Sequence, residues 1–140
     1  MQIFDYKQNK LIEVEKVEKS DNEWKKILTP EQFAITRQKE TEAPFSCSTE
    51  KHKAGLYKCV CCGADLFLID TKFESGTGWP SFFEPIDEHN VAYEKDNSLD
   101  YKRTEVKCAR CEAHLGHVFD DGPPPTGKRY CINSVALKFT

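Results

Sequence analysis

The spacing of hydrophobic residues changes near residue 54, and the part of the chain before this point predicts short helices. The segment SDNEWKKIL begins with Ser20, a residue type that is favoured as a helix N-cap. In TPEQFAITRQK, Thr29 at the N-cap, Pro30 at the first helical position and Gln32 at the third form a capping box. The sequence therefore predicts two consecutive short helices in this part.

The apolar residues of these helices indicate which sides are buried. Trp24, Ile27 and Leu28 recur at helical spacing, so we predict that they form the buried side of the first helix. In the second helix, Phe33 and Ile35 are two residues apart and cannot share one narrow face. We therefore expect the second helix to have the poorer apolar stripe.

From Ala54 onward, the chain consists of short runs rich in Tyr, Val, Phe and Leu, which are broken by Gly, Asp, Asn and Pro. This pattern predicts an antiparallel β structure. The candidate strands are LYKCV, VAYEKD, TEVKCA, HLGHVF and CINSVALKF. In the last of these, Ile132, Ser134 and Ala136 alternate with Asn133, Val135 and Leu137. The prolines and glycines of DDGPPPTGK predict a loop.

Residues 1–18 alternate charged and aliphatic side chains without a helical face, so we expect an extended arm or an added edge strand. A chain of 140 residues has the size of one domain, which we place at residues 19–140. The net charge of −3 gives no basic footprint for nucleic acid or an anionic membrane. The N-terminus lacks the pattern of a secretory signal and no apolar run reaches membrane length, so we expect a cytoplasmic protein.

Four of the seven cysteines occur as two CxxC pairs, Cys59 with Cys62 and Cys108 with Cys111. Two such pairs on tight turns can complete a tetrahedral thiolate site, which predicts one structural zinc ion per chain. The two pairs are separated by about 45 residues, more than in a usual zinc ribbon, so part of the sheet must lie between them. Four reduced core cysteines or a redox CxxC are the alternatives, and Cys61 is a rival to Cys62 as ligand.

Another cysteine, Cys131, lies in RYCINS near the end of the chain. If this segment is a strand, residues two apart point to the same face, so Arg129, Cys131 and Asn133 project together. A cationic neighbour favours a thiolate, whereas a cysteine without one is usually a small core residue. The segment therefore predicts either a reactive site or a buried thiol.

Two other segments carry aromatic or polar groups that a core does not require. Trp79 lies in the glycine-rich loop SGTGWPSF, where its ring either meets a ligand or packs the loop onto the core. His114 and His117 are three residues apart and fall on opposite faces of a flat strand. A turn or bulge at Gly116 would bring both imidazoles to one pocket, although each is also compatible with a structural role.

SGTGWPSF, HLGHVFDDGP and RYCINS, in this order with the two CxxC pairs, resemble the B-type methionine sulfoxide reductases over residues 20–139. The resemblance implies a mainly β, tent-like fold of two small antiparallel sheets with short N-terminal helices and a zinc-binding knuckle pair. It implies reduction of methionine-R-sulfoxide, free or in oxidised proteins, through a sulfenic acid on a cysteine.

The resemblance also implies a role for each motif residue. Cys131 would be the nucleophile, activated by Arg129, and Trp79 with Phe119 would hold the S-methyl group. His114, His117 and Asn133 would order water and the sulfoxide oxygen. Asp121 would orient a histidine or Arg129. The expected partners are the sulfoxide and thioredoxin, with the enzyme acting as a monomer.

One departure concerns the regeneration of Cys131. Relatives often carry a resolving cysteine in this loop, as SGCGWPSF, where this chain has Thr77. We expect Cys47, in FSCS, to resolve the sulfenic acid, with Cys61 and an external thiol as alternatives. A zinc-stabilised module that binds a partner without chemistry is the main competing function. A zinc-ribbon nucleic-acid binder fits less well, because a basic stripe is missing.

Overall fold

The structure, a computed structural model, describes residues 1–41, 55–96 and 103–140. Its strands are β1 (Gln2–Asp5), β2 (Lys10–Glu13), β3 (Leu56–Cys59), β4 (Asp65–Leu68), β5 (Lys72–Phe73), β6 (Ser81–Phe82), β7 (Val91–Asp96), β8 (Arg103–Cys108), β9 (His114–Phe119), β10 (Arg129–Ile132) and β11 (Leu137–Phe139). Its helices are α1 (Asp21–Ile27) and α2 (Pro30–Arg37), and 3-10 turns span Ile69–Thr71, Glu88–Asn90 and Ser134–Ala136. No described helix is long and apolar enough to cross a membrane.

Both predicted helices are present and begin at the predicted caps. The Ser20 hydroxyl accepts from the Glu23 N–H, and the Thr29 hydroxyl accepts from the Gln32 N–H, each within a complete capping box. The prediction that Ile27 is buried is wrong, because its side chain is 57% exposed. α1 has only two turns. Trp24 and Leu28, which are four residues apart, cover the core, and Ile27 projects to solvent.

The second helix is more buried than its apolar pattern suggests. Phe33, Ile35 and Thr36 are all less than 10% exposed. α2 packs against α1 on one side and against β9 and the turn at 134–136 on the other, so two faces of the helix are covered. Residues two apart can therefore both reach the interior.

The strands form antiparallel sheets, which confirms the predicted mainly β fold with two N-terminal helices. A six-stranded sheet has the order β5-β6-β10-β9-β8-β7, and a three-stranded sheet has the order β11-β3-β4. The aromatic rings of Phe67 and Phe82 stack between these sheets with centroids 4.4 Å apart. Tyr57 and Tyr130 complete the aromatic contact, so the main core lies between the two sheets.

The last predicted strand is in fact two strands in different sheets. β10 ends at Ile132 and β11 begins at Leu137, with the 3-10 turn Ser134–Ala136 between them. β10 pairs with β9 and β6, whereas β11 pairs with β3. The single alternating strand predicted over residues 131–139 is therefore wrong, because the chain must turn to cross from one sheet to the other.

The N-terminal residues form a third, two-stranded sheet, β1-β2, that docks on the rest of the molecule. The fully buried amide of Asn90 accepts from the Phe4 N–H at 2.7 Å and donates to the Phe4 carbonyl at 2.9 Å. The Tyr6 N–H donates to Asp65 Oδ2 at 2.9 Å, and Ile3 is buried in the core. This segment is thus a hairpin held by side-chain hydrogen bonds.

Candidate functional site

The four cysteines of the two CxxC pairs lie together at one end of the two main sheets. Cys59 Sγ is 3.6 Å from Cys111 Sγ, and Cys62 Sγ is 3.5 Å from Cys108 Sγ. All four sulfur atoms lie within 4.8 Å of one another. Zinc–sulfur bonds of about 2.3 Å place the sulfur atoms of a tetrahedral site about 3.8 Å apart. The four cysteines therefore fit a closed metal site of this size.

The two CxxC turns have the same backbone structure. The Gly63 N–H donates to the Cys59 carbonyl at 2.9 Å, and the Glu112 N–H donates to the Cys108 carbonyl at the same distance. Both turns place the residue after the second cysteine at positive φ, 80° for Gly63 and 63° for Glu112. Each turn thus points both of its sulfur atoms inward, and Cys61 is not part of the four-sulfur group.

Hydrogen bonds among the four thiols, together with burial, shift their pKa values in both directions. The bonds that Cys62 and Cys111 receive from neighbouring thiols lower the pKa of Cys62 strongly and that of Cys111 to about 4. The bonds that Cys59 and Cys108 make to their neighbours, together with burial, raise the pKa of these two thiols. Because metal ligands have to be thiolates, the thiols of this cluster would release their protons on binding a cation.

A separate cavity of about 340 Å³ contains the remaining described cysteine of the motifs, Cys131. Its lining comes from β8, β9, β10 and the residue after it, the loop before β6, and Thr41, which follows the end of α2 by four residues. The lining residues are Thr41, Thr77, Trp79, Arg103, Gly116, His117, Phe119, Arg129, Cys131 and Asn133. The structure thus brings together six of the predicted site residues, with Trp79 half-buried at the wall.

Arg129 is held beside this cavity by two neighbours. Its guanidinium donates from Nε to Asp121 Oδ1 at 2.9 Å and from Nη2 to Asp121 Oδ2 at 3.3 Å. It also lies 4.5 Å from the centre of the Phe119 ring, its cross-strand partner. The Arg129 hydrogen bonds lower the pKa of Asp121. Of the two expectations for Asp121, the geometry matches contact with Arg129.

A bulge in β9 brings the two histidines to one side of the strand. Val106 pairs with Gly116 and Lys107 with His114, so one extra residue of β9 lies between these pairs. The rings of His114 and His117 consequently meet edge to face, with centroids 5.5 Å apart. His117 lines the cavity, whereas His114 is not one of the described residues that do.

Gly116 and Asn133 shape the backbone around Cys131. A Cβ at Gly116 would overlap the carbonyl oxygen of Cys131, so only glycine allows β9 and β10 to approach this closely. Asn133 follows β10 directly and is buried, and its Nδ2 donates to the Leu115 carbonyl at 3.1 Å. Arg129, Cys131 and Asn133 therefore do share one side, as the period of the strand predicts.

Thr77 stands next to the cysteine, with its Oγ1 3.9 Å from Cys131 Sγ. The Thr77 hydroxyl also bonds the Ser75 hydroxyl at 2.7 Å, and Ser81 donates to Ser75 at 2.8 Å. The predicted resolving residue Cys47 lies outside the described residues.

Glu105, Arg103 and Thr41 were not predicted as site residues. The buried Glu105 carboxylate bonds His114 Nδ1 at 2.6 Å. In TEVKCA, Glu105 and Lys107 are two residues apart and so lie on the same face of the strand. Two charged residues on one face are typical of a surface exposed to solvent, so the pattern did not indicate that Glu105 is buried. Arg103 and Thr41 border undescribed segments and carry no motif that signals a pocket.

Comparison with known proteins identifies the family. The SelR domain model matches residues 28–140. The chain is 59% identical over 126 residues to the peptide methionine sulfoxide reductase MsrB of Methanosarcina mazei, covering 89% of this chain and 90% of the relative. The proteins of the same name from Methanosarcina barkeri and Leptospira interrogans are 60% and 56% identical, each over 88% of this chain and over 87% and 95% of the relative. The chain belongs to the SelR-domain family of B-type methionine sulfoxide reductases.

Proposed function

We propose that this protein reduces methionine-R-sulfoxide in peptides to methionine, with Cys131 as the nucleophile. The observation that carries the proposal is a single cavity in which the Cys131 thiol faces two aromatic side chains, Trp79 and Phe119, together with Arg129 and His117. The names of the relatives support the same reaction. A methyl thioether is small and apolar, so aromatic walls are suited to hold it.

The chemistry is an oxygen transfer between two sulfur atoms. The Cys131 thiolate attacks the sulfoxide sulfur, the sulfoxide S–O bond breaks, and oxygen passes to Cys131 as a sulfenic acid. Cys131 loses two electrons and the sulfoxide sulfur gains them, so methionine leaves without another reductant. The oxygen needs a proton as it departs, and we assign this delivery to the histidine next to Cys131, His117.

We assign activation of the thiol to Arg129, whose fixed charge favours the thiolate. Asp121 holds the guanidinium on one side and Phe119 packs on its other surface, so the charge is kept beside the cavity. Asn133 is assigned to the sulfoxide oxygen, because an amide can donate a hydrogen bond while oxygen gains charge.

The stereochemistry of turnover tests the proposal. A fixed aromatic wall accepts the methyl group on one side of the chiral sulfur, so only one epimer presents its sulfur to Cys131. Racemic methionine sulfoxide is incubated with the protein and dithiothreitol, and the remaining epimers are separated by chiral chromatography. We expect the R epimer to disappear and the S epimer to remain. Loss of the S epimer, or of neither, would contradict the assigned reaction.

We further propose that the four-cysteine cluster holds one structural zinc ion, bound by Cys59, Cys62, Cys108 and Cys111. Four thiolates close the coordination sphere, so the ion would join the two turns and would not meet the substrate. These thiols and Cys131 must stay reduced to work, which suits the cytoplasm.

For regeneration of the enzyme, we propose that Cys47 attacks the sulfenic acid, releasing water and forming a disulfide that thioredoxin reduces. Thr41 lines the cavity and precedes Cys47 by six residues, a span of roughly 20 Å when extended, so the chain can reach Cys131. We take the enzyme to act as a monomer, as the resemblance to the family implies.

The recycling step has its own test. Cys47→Ser should release one methionine per enzyme at the normal rate and then stop with thioredoxin, while dithiothreitol restores part of the turnover. Peptide mapping after substrate treatment without reductant should show Cys47 linked to Cys131. A Cys61–Cys131 link, or full thioredoxin turnover in Cys47→Ser, would assign the role elsewhere without affecting the sulfoxide reaction.

A further inference from the structure

One row of side chains in the six-stranded sheet connects its edge strand β7 with Cys131 on β10. Glu94 on β7 is paired with Glu105 on β8, Glu105 with His117 on β9, and His117 with Cys131 on β10. Directly opposed residues of neighbouring antiparallel strands point to the same face of a sheet. Glu105 therefore shares a face with the cysteine of the cavity, two strands away from it.

Glu105 is unusual in this row because its carboxylate is buried. The residue is only 4% exposed, and carboxylates are seldom buried without partners. One oxygen, Oε2, lies 2.6 Å from His114 Nδ1, and the other, Oε1, receives a hydrogen bond from Lys39 at 3.3 Å. The Lys39 ammonium compensates the charge, so the carboxylate can act as an acceptor toward the imidazole.

This contact determines the state of His114. A carboxylate only accepts hydrogen bonds, so Nδ1 carries the proton and Nε2 is left with its lone pair. Nε2 is buried and has no hydrogen-bond partner among the described residues. Burial lowers the pKa of His114, the nearby charges of Lys39 and His117 act in the same direction, and Glu105 opposes them. The imidazole is therefore neutral near pH 7, and its ring meets the His117 ring at an interplanar angle of 69°.

We propose that Glu105 is a positioning residue of the sulfoxide reaction, which fixes the Nδ1-protonated tautomer and the orientation of His114 and thereby places His117 next to Cys131. The inference rests on the proposed function, because it assigns Glu105 to that reaction. A carboxylate that fixes the tautomer of a histidine in this way acts through the histidine and does not touch the substrate.

The first test needs no substitution and no substrate. The nitrogen-15 shifts of His114 in the wild-type protein distinguish a protonated Nδ1 from a protonated Nε2. We expect protonated Nδ1 and unprotonated Nε2 from about pH 6.5 to 8. The opposite tautomer would overturn the proposal even if the protein reduces the sulfoxide as proposed, so the two ideas fail separately.

The second test uses Glu105→Gln, which keeps the shape but removes the charge and allows the amide to bind the wrong tautomer. We expect the single-turnover rate of methionine release to fall on the order of 10- to 100-fold. The KM for the sulfoxide, measured in the steady state with dithiothreitol, should change little. The His114 shifts should move toward the other tautomer. Glu94→Gln is the matched control, because Glu94 lies in the same row but faces solvent and is bound mainly by Lys107, at 2.8 Å, with Lys39 farther away at 4.0 Å. It should keep the wild-type rate within about twofold.

A double-mutant cycle separates positioning from a general structural effect. If Glu105 acts through His114, Glu105→Gln combined with His114→Gln should be no slower than His114→Gln alone. Additive losses, or a wild-type rate in folded Glu105→Gln, would overturn the proposal. If Glu105→Gln does not fold, the tautomer of His114 in the wild-type protein decides whether the proposal holds.

Discussion

At the scale of single residues, Thr77 occupies a position from which a thiol would meet Cys131. Its Oγ1 is 3.9 Å from Cys131 Sγ, close enough that Thr77→Cys should form a disulfide with oxidised Cys131 after minor adjustment. We expect Thr77→Cys to restore thioredoxin-supported turnover in a Cys47→Ser background. Thr77→Ser, which keeps a hydroxyl, is the control and should not. Absence of a 77–131 disulfide in peptide maps would show that the loop holds the two side chains apart.

Arg129 is predicted to control the reactivity of the same sulfur. Arg129→Ala removes a fixed positive charge that lines the same cavity and should slow alkylation of Cys131 by iodoacetamide at pH 7, because less of the thiol is ionised. Arg129→Lys retains the charge and should lose less of the rate. Rates are followed by mass spectrometry of the peptide that contains Cys131. Equal rates in Arg129→Ala and wild type would place the stabilisation of the thiolate elsewhere.

His114 gives the stability of the protein a dependence on pH. Burial lowers its pKa in the folded state, so below an unfolded pKa of about 6.5 the unfolded chain binds more protons than the folded one. The free energy of unfolding should therefore fall as the pH drops below about 6.5, by at most about 1.4 kcal/mol per pH unit, until the folded pKa is reached. Urea titrations between pH 7 and 5 measure this slope.

His114→Gln should remove this part of the slope. His89→Gln, a change at an exposed histidine that bonds Asp87, is the control and should retain it. An unchanged slope in His114→Gln would mean that other groups carry the acid sensitivity.

The residue scale also shows where sequence patterns succeed. Arg129 and Cys131 were placed together correctly, because a strand of any register repeats with period two. Ile27 was wrongly predicted to be buried, because a helix of two turns buries fewer residues than its hydrophobic spacing suggests. Glu105 was missed because its neighbours in the sequence resemble a solvent-facing strand, and its partners His114 and Lys39 come from other elements.

At the scale of elements, the strand boundaries that were predicted wrongly are those set by contacts between sheets. Residues 131–139 alternate as one strand would, yet the turn at Ser134–Ala136 divides them because β10 and β11 belong to different sheets. The strands β5 and β6 contain two residues each, too few for a hydrophobic period to be recognised. A turn or bulge was expected at Gly116, since only an irregular strand brings His114 and His117 together, and the extra residue of β9 is its neighbour Leu115.

The attachment of the N-terminal hairpin depends on the side chain of Asn90. Asn90→Leu leaves the buried polar groups of Phe4 and the Asp65 carbonyl without their partner, so it should lower the free energy of unfolding by about 2–3 kcal/mol. Asn22→Leu, the same substitution at an exposed position of α1, should change it by less than about 0.5 kcal/mol. Denaturant unfolding of both variants provides the comparison, and equal stability would mean that the hairpin contributes little.

At the scale of the whole molecule, the cysteine cluster connects the two main sheets. Cys59 ends β3 of the three-stranded sheet, and Cys108 ends β8 of the six-stranded sheet. We expect about one zinc per chain by elemental analysis, and a chelator should lower the unfolding temperature and the activity together.

Cys108→Ser should lose both the metal and stability. Cys61→Ser, a change beside the cluster but outside it, should keep both. A metal-free Cys108→Ser protein with wild-type stability would show that the fold does not need the ion.

The placement of Cys131 has a consequence for how this enzyme can evolve. β10 is paired on both edges, with β6 and with β9. The backbone of Gly116 lies so close to the Cys131 carbonyl that β10 has no room to move toward β9. A mutation that retunes the reaction by shifting this strand would break hydrogen bonds in two ladders and would be removed by selection as a folding defect. Adaptation to other sulfoxides is therefore confined to the loops that carry Trp79 and Asp121, whose exposed or half-buried residues can vary at low cost to stability.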